Sequence, residues 1–221
     1  REGLLAALDG RWIAPGPSGA PGPRRLDVLP TGRNLYAIDP RAVPTRTAME
    51  IGARTAEEVV ARYAEDHGEW PKSIVLDVWA SASMRTGGDD IAQALALLGV
   101  RPTWDAASGR VSGFTVLAPA RLGRPRVDVT LRVSGLFRDV FPGQIALFDQ
   151  AVKAVAALDE DAETNPLAAC RDSSPSRIYG AAPGAFGSGL GEMRPEDLAA
   201  DRTAFADAYL AASGYAYSGD G

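Results

Sequence analysis

Two residue types much used in catalysis are almost missing. The chain of 221 residues holds one cysteine, Cys170, and one histidine, His67. A lone cysteine excludes an intrachain disulfide framework and a cysteine-rich metal cluster, and it fits a reduced compartment. With so few ligands, zinc of the His/Cys kind is nearly excluded. A Ser/His/Asp or Cys/His pair has a poor candidate, because His67 sits at a predicted helix end among charged residues. Neither GxxxxGKS nor GxxxxGKT occurs, so the chain is not expected to hydrolyse ATP itself. No apolar run approaches the ~18 residues of a membrane helix. Arg1–Leu8 lacks the long apolar core of a signal peptide, and a cytoplasmic location is expected. The first residue is not Met, as in a processed product or a cut-out piece. Basic residues are outnumbered, 23 against 28 acidic, for a net charge of −5. That balance gives no support to non-specific nucleic-acid binding. Chemistry must come from carboxylates, arginine, tyrosine or backbone, or from residues outside the chain.

What is present is an α/β pattern. Hydrophobic residues make up 46% of the chain, enough to fill a core. Ser73–Trp79 (SIVLDVW) is β-rich and lacks polar alternation, which predicts a central strand buried on both faces. Ala80–Gly88 reads as a small polar loop. Asp89 and Asp90 then open a helix with Ile91, Ala94, Leu95 and Leu98 on one face and Gly99 at its stop. Thr55–Glu58 is a capping box, predicting a helix from there to His67–Gly68. Arg101–Leu117 predicts two short strands around a turn at Ala106–Gly109. Val127–Val133 alternates strictly, a strand with one polar face. Phe141–Leu158 predicts a long helix with Ile145, Phe148, Val152 and Val155 in one stripe.

The flanks differ. Residues 1–45 are predicted irregular, with a Pro/Gly-rich stretch at Arg11–Pro23. Leu29–Pro44 is broken by prolines, yet its apolar Leu35, Tyr36, Ile38 and Val43 predict a segment that packs down. Arg177–Leu190 is glycine-rich with Tyr179 and Phe186, Pro195–Ser213 predicts a last helix, and Gly214–Gly221 a frayed tail. The expected class is α/β: a mainly parallel sheet with flanking helices over 55–160. An extended Pro/Gly-rich segment over 1–54 precedes it; a linker, a glycine-rich loop and a helix over 161–221 follow.

In open α/β sheets, ligands bind beside strand-to-helix loops. Arg85, Asp89 and Asp90 lie on one such stretch. Arg85 can hold a carboxylate, and the aspartates can bind a divalent cation or move a proton. Equally, the aspartates can cap a helix with Arg85 as their ion-pair partner. Arg138 and Asp139 occupy a similar position, as part of a shared crevice or as a local ion pair. Thr31–Asn34 is a weak anion cradle or a turn. Arg177–Leu190 is a flexible lid whose aromatics stack on a flat ligand, or an irregular surface loop.

Four blocks in fixed order narrow the reading. They are Leu29–Thr45 (LPTGRNLYAIDPRAVPT), Met84–Asp105 (MRTGGDDIAQALALLGVRPTWD), Leu122–Val152 (LGRPRVDVTLRVSGLFRDVFPGQIALFDQAV) and Arg177–Leu190 (RIYGAAPGAFGSGL). Together they resemble the CobN/magnesium chelatase large-subunit family, and its aerobic cobaltochelatase branch more than its magnesium branch. The resemblance implies ATP-dependent insertion of a divalent metal into a tetrapyrrole. In the cobalt branch, cobalt(II) enters hydrogenobyrinic acid a,c-diamide on the way to vitamin B12. It further implies that macrocycle and metal are held by the large subunit. ATP is then hydrolysed by an AAA+ ATPase subunit, and a second accessory subunit completes the complex. By motif and residue type, the implied substrate-binding residues are Arg33, Asn34, Arg85, Arg138 and Tyr179. The implied catalytic residues are Asp89, Asp90 and Asp139, and no metal ligand is assigned. The family's large subunit is several times longer, so the chain reads as an internal fragment, inactive alone. Ala80–Ser83 departs from the WGT-type sequence expected there, and Pro166–Arg177 is shorter than the family's segment. The alternatives are porphyrin binding of the magnesium type and a non-catalytic docking module for the ATPase.

Overall fold

The structure is a computed structural model and describes residues 2–17, 19, 26–30, 38–170, 176–188, 190 and 202–219. Its elements are α1 (Glu2–Leu8), α2 (Arg46–His67), β1 (Ser73–Val78), α3 (Ala80–Thr86), α4 (Asp89–Leu98), β2 (Val100–Trp104), β3 (Val111–Val116), α5 (Pro119–Leu122), β4 (Asp128–Val133), α6 (Gly135–Val140), α7 (Pro142–Ala156), β5 (Ile178–Gly180), α8 (Arg202–Ser213) and β6 (Tyr215–Ala216). Among the described residues the main sheet runs β1-β4-β5-β6. β1, β4 and β5 are parallel, and β6 is antiparallel to β5. β2 and β3 form a separate hairpin. The class is the expected one, a mainly parallel sheet flanked by helices.

The chain is built around α4. Ile91, Ala92, Ala94, Leu95, Ala96, Leu97 and Leu98 are all buried, and a helix that is apolar all round belongs in a core. α2 crosses α4 closely at Gly52, where a Cβ would stand 2.5 Å from the Gln93 backbone nitrogen. α4 packs on β1 and β4 of the sheet and on α7, and Val129, Leu131 and Val133 of β4 are buried. The stripe Ile145, Phe148, Val152 and Val155 of α7 is buried as its spacing predicts.

Two buried arginines close the C-terminal end of α4. Arg124 donates to the carbonyls of Ala96 and Leu97. Arg126 donates to those of Leu98, Gly99 and Leu117. The helix carbonyls among these have no partner within α4 and form its negative end, so cations there are favourable.

Several expectations are corrected. β1 is not a central strand buried on both faces. It is the outer strand among the described residues, with Ile74 and Leu76 half-buried and Val75 69% exposed. The apolar run is real, but α8 packs on β5, leaving the odd-numbered face of β1 open. The capping box at Thr55 is not a helix start. α2 begins after Thr45, whose hydroxyl accepts from Ala48 N at 3.1 Å, while Thr55 donates to the Ile51 carbonyl inside the helix. The division at 54/55 therefore falls within α2.

Ala80–Thr86 is a helix rather than a loop, since alanine, methionine and arginine favour helix and Gly87 stops it in the left-handed conformation. Glu2–Leu8 is helical too; the long helix expected over Phe141–Leu158 is α7, and a short helix that was not expected, α6, precedes it. The last helix is described from Arg202; the start expected at Pro195 lies outside the described residues. The tail is not frayed at Tyr215–Ala216, which pairs with Tyr179–Gly180.

The proline-broken leading segment packs down where it is described. Gln144 Nε2 donates to the Pro40 and Val43 carbonyls at 2.6 and 2.7 Å. Trp104 Nε1 donates to the Pro44 carbonyl, and Arg110 pairs with Asp39.

Candidate functional site

β1, β4 and β5 end on the same edge of the sheet because they are parallel. Three segments leave it: α3 after β1, α6 after β4, and the glycine-rich loop after β5. α3 and α6 pack together. Ser134 joins them, donating its N–H to the Val78 carbonyl at 3.0 Å and accepting from Ala80 N on its hydroxyl at 3.3 Å. The helices that carry Arg85 and Arg138, α3 and α6, thus both start from the C-terminal edge of the sheet.

The turn between α3 and α4 is held tightly. Gly87 and Gly88 have φ of 80° and 95°, left-handed values that favour glycine. A Cβ on Gly88 would meet Val43 Cγ1 at 2.5 Å, and one on Gly87 would meet Thr45 Oγ1 at 2.9 Å. Thr45 N donates to the Gly87 carbonyl. The Thr86 hydroxyl accepts from Gly88 N and Asp89 N, so it caps α4 where Gly88 has no side chain to do so. The turn is therefore fixed against the start of α2 and presents Asp89 and Asp90 from the first turn of α4.

Asp90 is half-buried. Burial pushes its pKa above the usual carboxylate value, the neighbouring Asp89 charge adds to that, and Arg85 opposes it. Arg85 lies exposed in the last turn of α3.

Arg138 is 8% exposed. Its Nε and Nη2 grip Asp139 at 2.6 and 2.9 Å. Its Nη1 donates to the carbonyls of Ala181, Ala182 and Ala185 at 3.1, 2.7 and 3.3 Å. Asp139 is held below its usual pKa by the bond from Arg138. The two arginines at this edge have opposite settings: Arg85 reaches solvent, and Arg138 is spent on the protein.

Tyr179 lies in β5 rather than on a lid. Ile178 and Gly180 are buried on the core side, so Tyr179 points to the other face, in register with Arg132. Arg132, unnoticed in sequence, sits 5.7 Å from the Trp79 ring and 4.7 Å from that of Tyr209, and bonds Ser213. Its position in the alternating Val127–Val133 pattern was the available signal. Arg33 and Asn34 lie outside the described residues. Among the described residues, no three His, Cys, Asp or Glu side chains gather as a metal site, and no helix is long and apolar enough to cross a membrane.

The family model described as CobN/Magnesium Chelatase matches residues 1–221. The chain belongs to the CobN/magnesium chelatase family. It is 51% identical to the aerobic cobaltochelatase CobN protein of a Sinorhizobium species over 97% of this chain and 18% of that protein. Against the protein of the same name from Pseudomonas aeruginosa the figures are 52%, 98% and 19%. The H component of the Rhodobacter capsulatus magnesium chelatase is 38% identical over 99% of this chain and 19% of its own. The solved catalytic subunit of cobaltochelatase from Mycobacterium tuberculosis superposes with a TM-score of 0.81 at 47% identity, over 99% of this chain and 20% of that one. The chain thus spans about a fifth of the CobN/magnesium chelatase proteins it matches.

Proposed function

We propose that this chain is a piece of the large subunit of an ATP-dependent cobaltochelatase. In that role it helps to hold hydrogenobyrinic acid a,c-diamide while cobalt(II), the substrate metal, is inserted for cobalamin biosynthesis. One observation carries the cobalt reading: identity of 51–52% to the cobaltochelatase proteins against 38% to a magnesium-chelatase protein, over nearly the same span. ATP hydrolysis is assigned to a partner AAA+ ATPase with a second accessory subunit, in keeping with the lack of a P-loop. A cytoplasmic location goes with that assembly.

Insertion requires the ring to lose two pyrrolic protons and the ion to shed water. Both acts suit carboxylates at the sheet edge. Asp90 is the better proton acceptor, because its raised pKa gives it more affinity for a proton than an ordinary aspartate has. Asp89 beside it supplies a second negative charge for the incoming divalent ion. Asp139, neutralised by Arg138 and held at low pKa, is suited to remaining anionic rather than to proton transfer. The macrocycle carries carboxylate arms, and Arg85 is exposed and able to bind one. Arg33 and Asn34 are proposed to contribute further polar contacts, and Tyr179 to line the adjoining sheet face.

The test is the affinity of the full-length protein for hydrogenobyrinic acid a,c-diamide against protoporphyrin IX, followed by cobalt insertion with the partner subunits and ATP. Tighter binding of the corrinoid precursor is expected. A preference for protoporphyrin overturns the cobalt reading in favour of the magnesium one.

A further inference from the structure

The glycine-rich loop after β5 reads in the sequence as a flexible lid or an irregular surface loop, and its contacts are those of a fixed shelf. The Arg138 guanidinium captures three of its carbonyls, those of Ala181, Ala182 and Ala185. The Tyr217 hydroxyl donates to the Ala181 carbonyl as well. Ala185 N closes a turn onto the Ala182 carbonyl at 2.9 Å. At Gly135, the first residue of α6, the loop comes so close that a Cβ would stand 2.7 Å from Phe186 Cδ1 and 2.8 Å from the Ala185 carbonyl oxygen. Gly135 has no positive φ, so close approach alone asks for glycine there.

What the shelf presents is Phe186. The residue is 64% exposed, although the ring edge rests on Gly135 and the Arg138 guanidinium lies 5.3 Å from the ring centroid. A loop held by a buried arginine does not need an exposed phenyl ring for its own stability. The cation backs the ring and leaves other ring surface open to solvent, as stacking on a planar, electron-rich partner requires. Gly135 follows Ser134, the residue that joins β4 to the start of α3, so Phe186 stands at the same sheet edge as the candidate site.

We propose that Phe186 is a stacking platform for the conjugated ring of the tetrapyrrole, and that Arg138 is a positioning residue that fixes this platform. This rests on the reading of the protein as a tetrapyrrole-binding subunit. Arg138 then binds no carboxylate arm, and that task falls to exposed arginines such as Arg85.

The experiment titrates full-length protein with hydrogenobyrinic acid a,c-diamide, following the absorption of the bound chromophore. Phe186→Ala is expected to weaken binding by about tenfold or more, the scale of one lost aromatic stack, and to abolish the spectral shift of the bound ring. Phe186→Trp is expected to bind within about threefold of wild type, since the stacking surface is kept. Arg138→Lys keeps the charge but loses the fork. It should weaken binding, speed amide exchange over 181–187, and add little to Phe186→Ala in the double variant. Gly135→Ala should displace the shelf and weaken binding with Phe186 intact. Thermal midpoints check that each variant is folded, and Phe186→Ala, at an exposed position, is expected to leave the midpoint in place. Unchanged affinity in folded Phe186→Ala, or Phe186→Trp as weak as Phe186→Ala, overturns the proposal while leaving the tetrapyrrole reading intact. A wild-type protein that binds neither this compound nor protoporphyrin IX overturns both.

Discussion

Arg126 and Glu160 meet in two parallel hydrogen bonds, Nε to Oε2 at 2.7 Å and Nη2 to Oε1 at 2.8 Å. The arginine side chain is 1% exposed, and its Nη1 also donates to the carbonyls of Leu98 and Gly99 at the end of α4. The pair therefore secures the end of the central helix rather than decorating a surface. Truncating Glu160 would leave a buried cation without its counter-charge. Glu160→Ala is expected to cost about 3–5 kcal/mol, read from urea denaturation. A loss below ~1 kcal/mol would place the pair among ordinary surface bridges.

The outer position of β1 among the described strands sets a ranking of core substitutions. Leu95 on α4 is fully buried, whereas Leu76 on β1 is only half-buried. Leu95→Ala should cost about 2–5 kcal/mol, and Leu76→Ala distinctly less. Equal losses in paired denaturation curves would return β1 to the core.

Asp90 gives a pH dependence of known sign. Its pKa is raised by burial and by Asp89, and lowered by Arg85. Asp89→Asn removes a like charge, so the Asp90 titration should move to lower pH. Arg85→Ala removes an opposite charge and should move it to higher pH. Carboxyl NMR of the chain reads these shifts directly. If Asp90 accepts the pyrrolic proton, cobalt insertion by the full-length enzyme falls as pH drops through the Asp90 value, because only the carboxylate can accept. Asp90→Asn should abolish insertion while leaving macrocycle affinity unchanged. Retention of full activity in that variant would remove Asp90 from the mechanism.

Arg85 and Arg138 should separate in mutagenesis. Arg85 is exposed, so Arg85→Ala is expected to leave the thermal midpoint unchanged and to weaken corrinoid binding by about 1–3 kcal/mol, as for a lost charge-assisted hydrogen bond. Arg138→Ala should lower the midpoint, since carbonyls at Ala181, Ala182 and Ala185 lose their donor. A lowered midpoint with unchanged affinity for Arg85→Ala would make that turn structural only.

Much of this was written locally along the chain. The α7 stripe, the β2–β3 hairpin around Ala106–Gly109 and the alternation of β4 follow from side-chain periods of 3.6 and 2, which any fold must respect. Asp89 and Asp90 at the head of α4 follow from the charge preference of a helix start. The missing P-loop is likewise a property of sequence alone. The long-range bonds of the arginines were not legible, because those partners lie far away in the chain. Arg138 finds its acceptors 43–47 residues on, and Arg126 finds Glu160 34 residues on. No spacing rule reaches that far; the local Arg138–Asp139 pair was one of the readings open in the sequence, and only the placing of β5 beside β4 brought the carbonyl acceptors to Arg138.

The same division holds for β1. Apolar residues on both faces of Ser73–Trp79 are a fact of sequence, and they mark a strand of a layered α/β sheet. Which neighbours that strand has is a matter of strand order, which is decided by where β4, β5 and α8 pack. The tertiary structure puts β4 between β1 and β5 and leaves Val75 and Trp79 exposed, because hydrophobic pattern specifies what a face prefers, and only the packed chain determines what covers it.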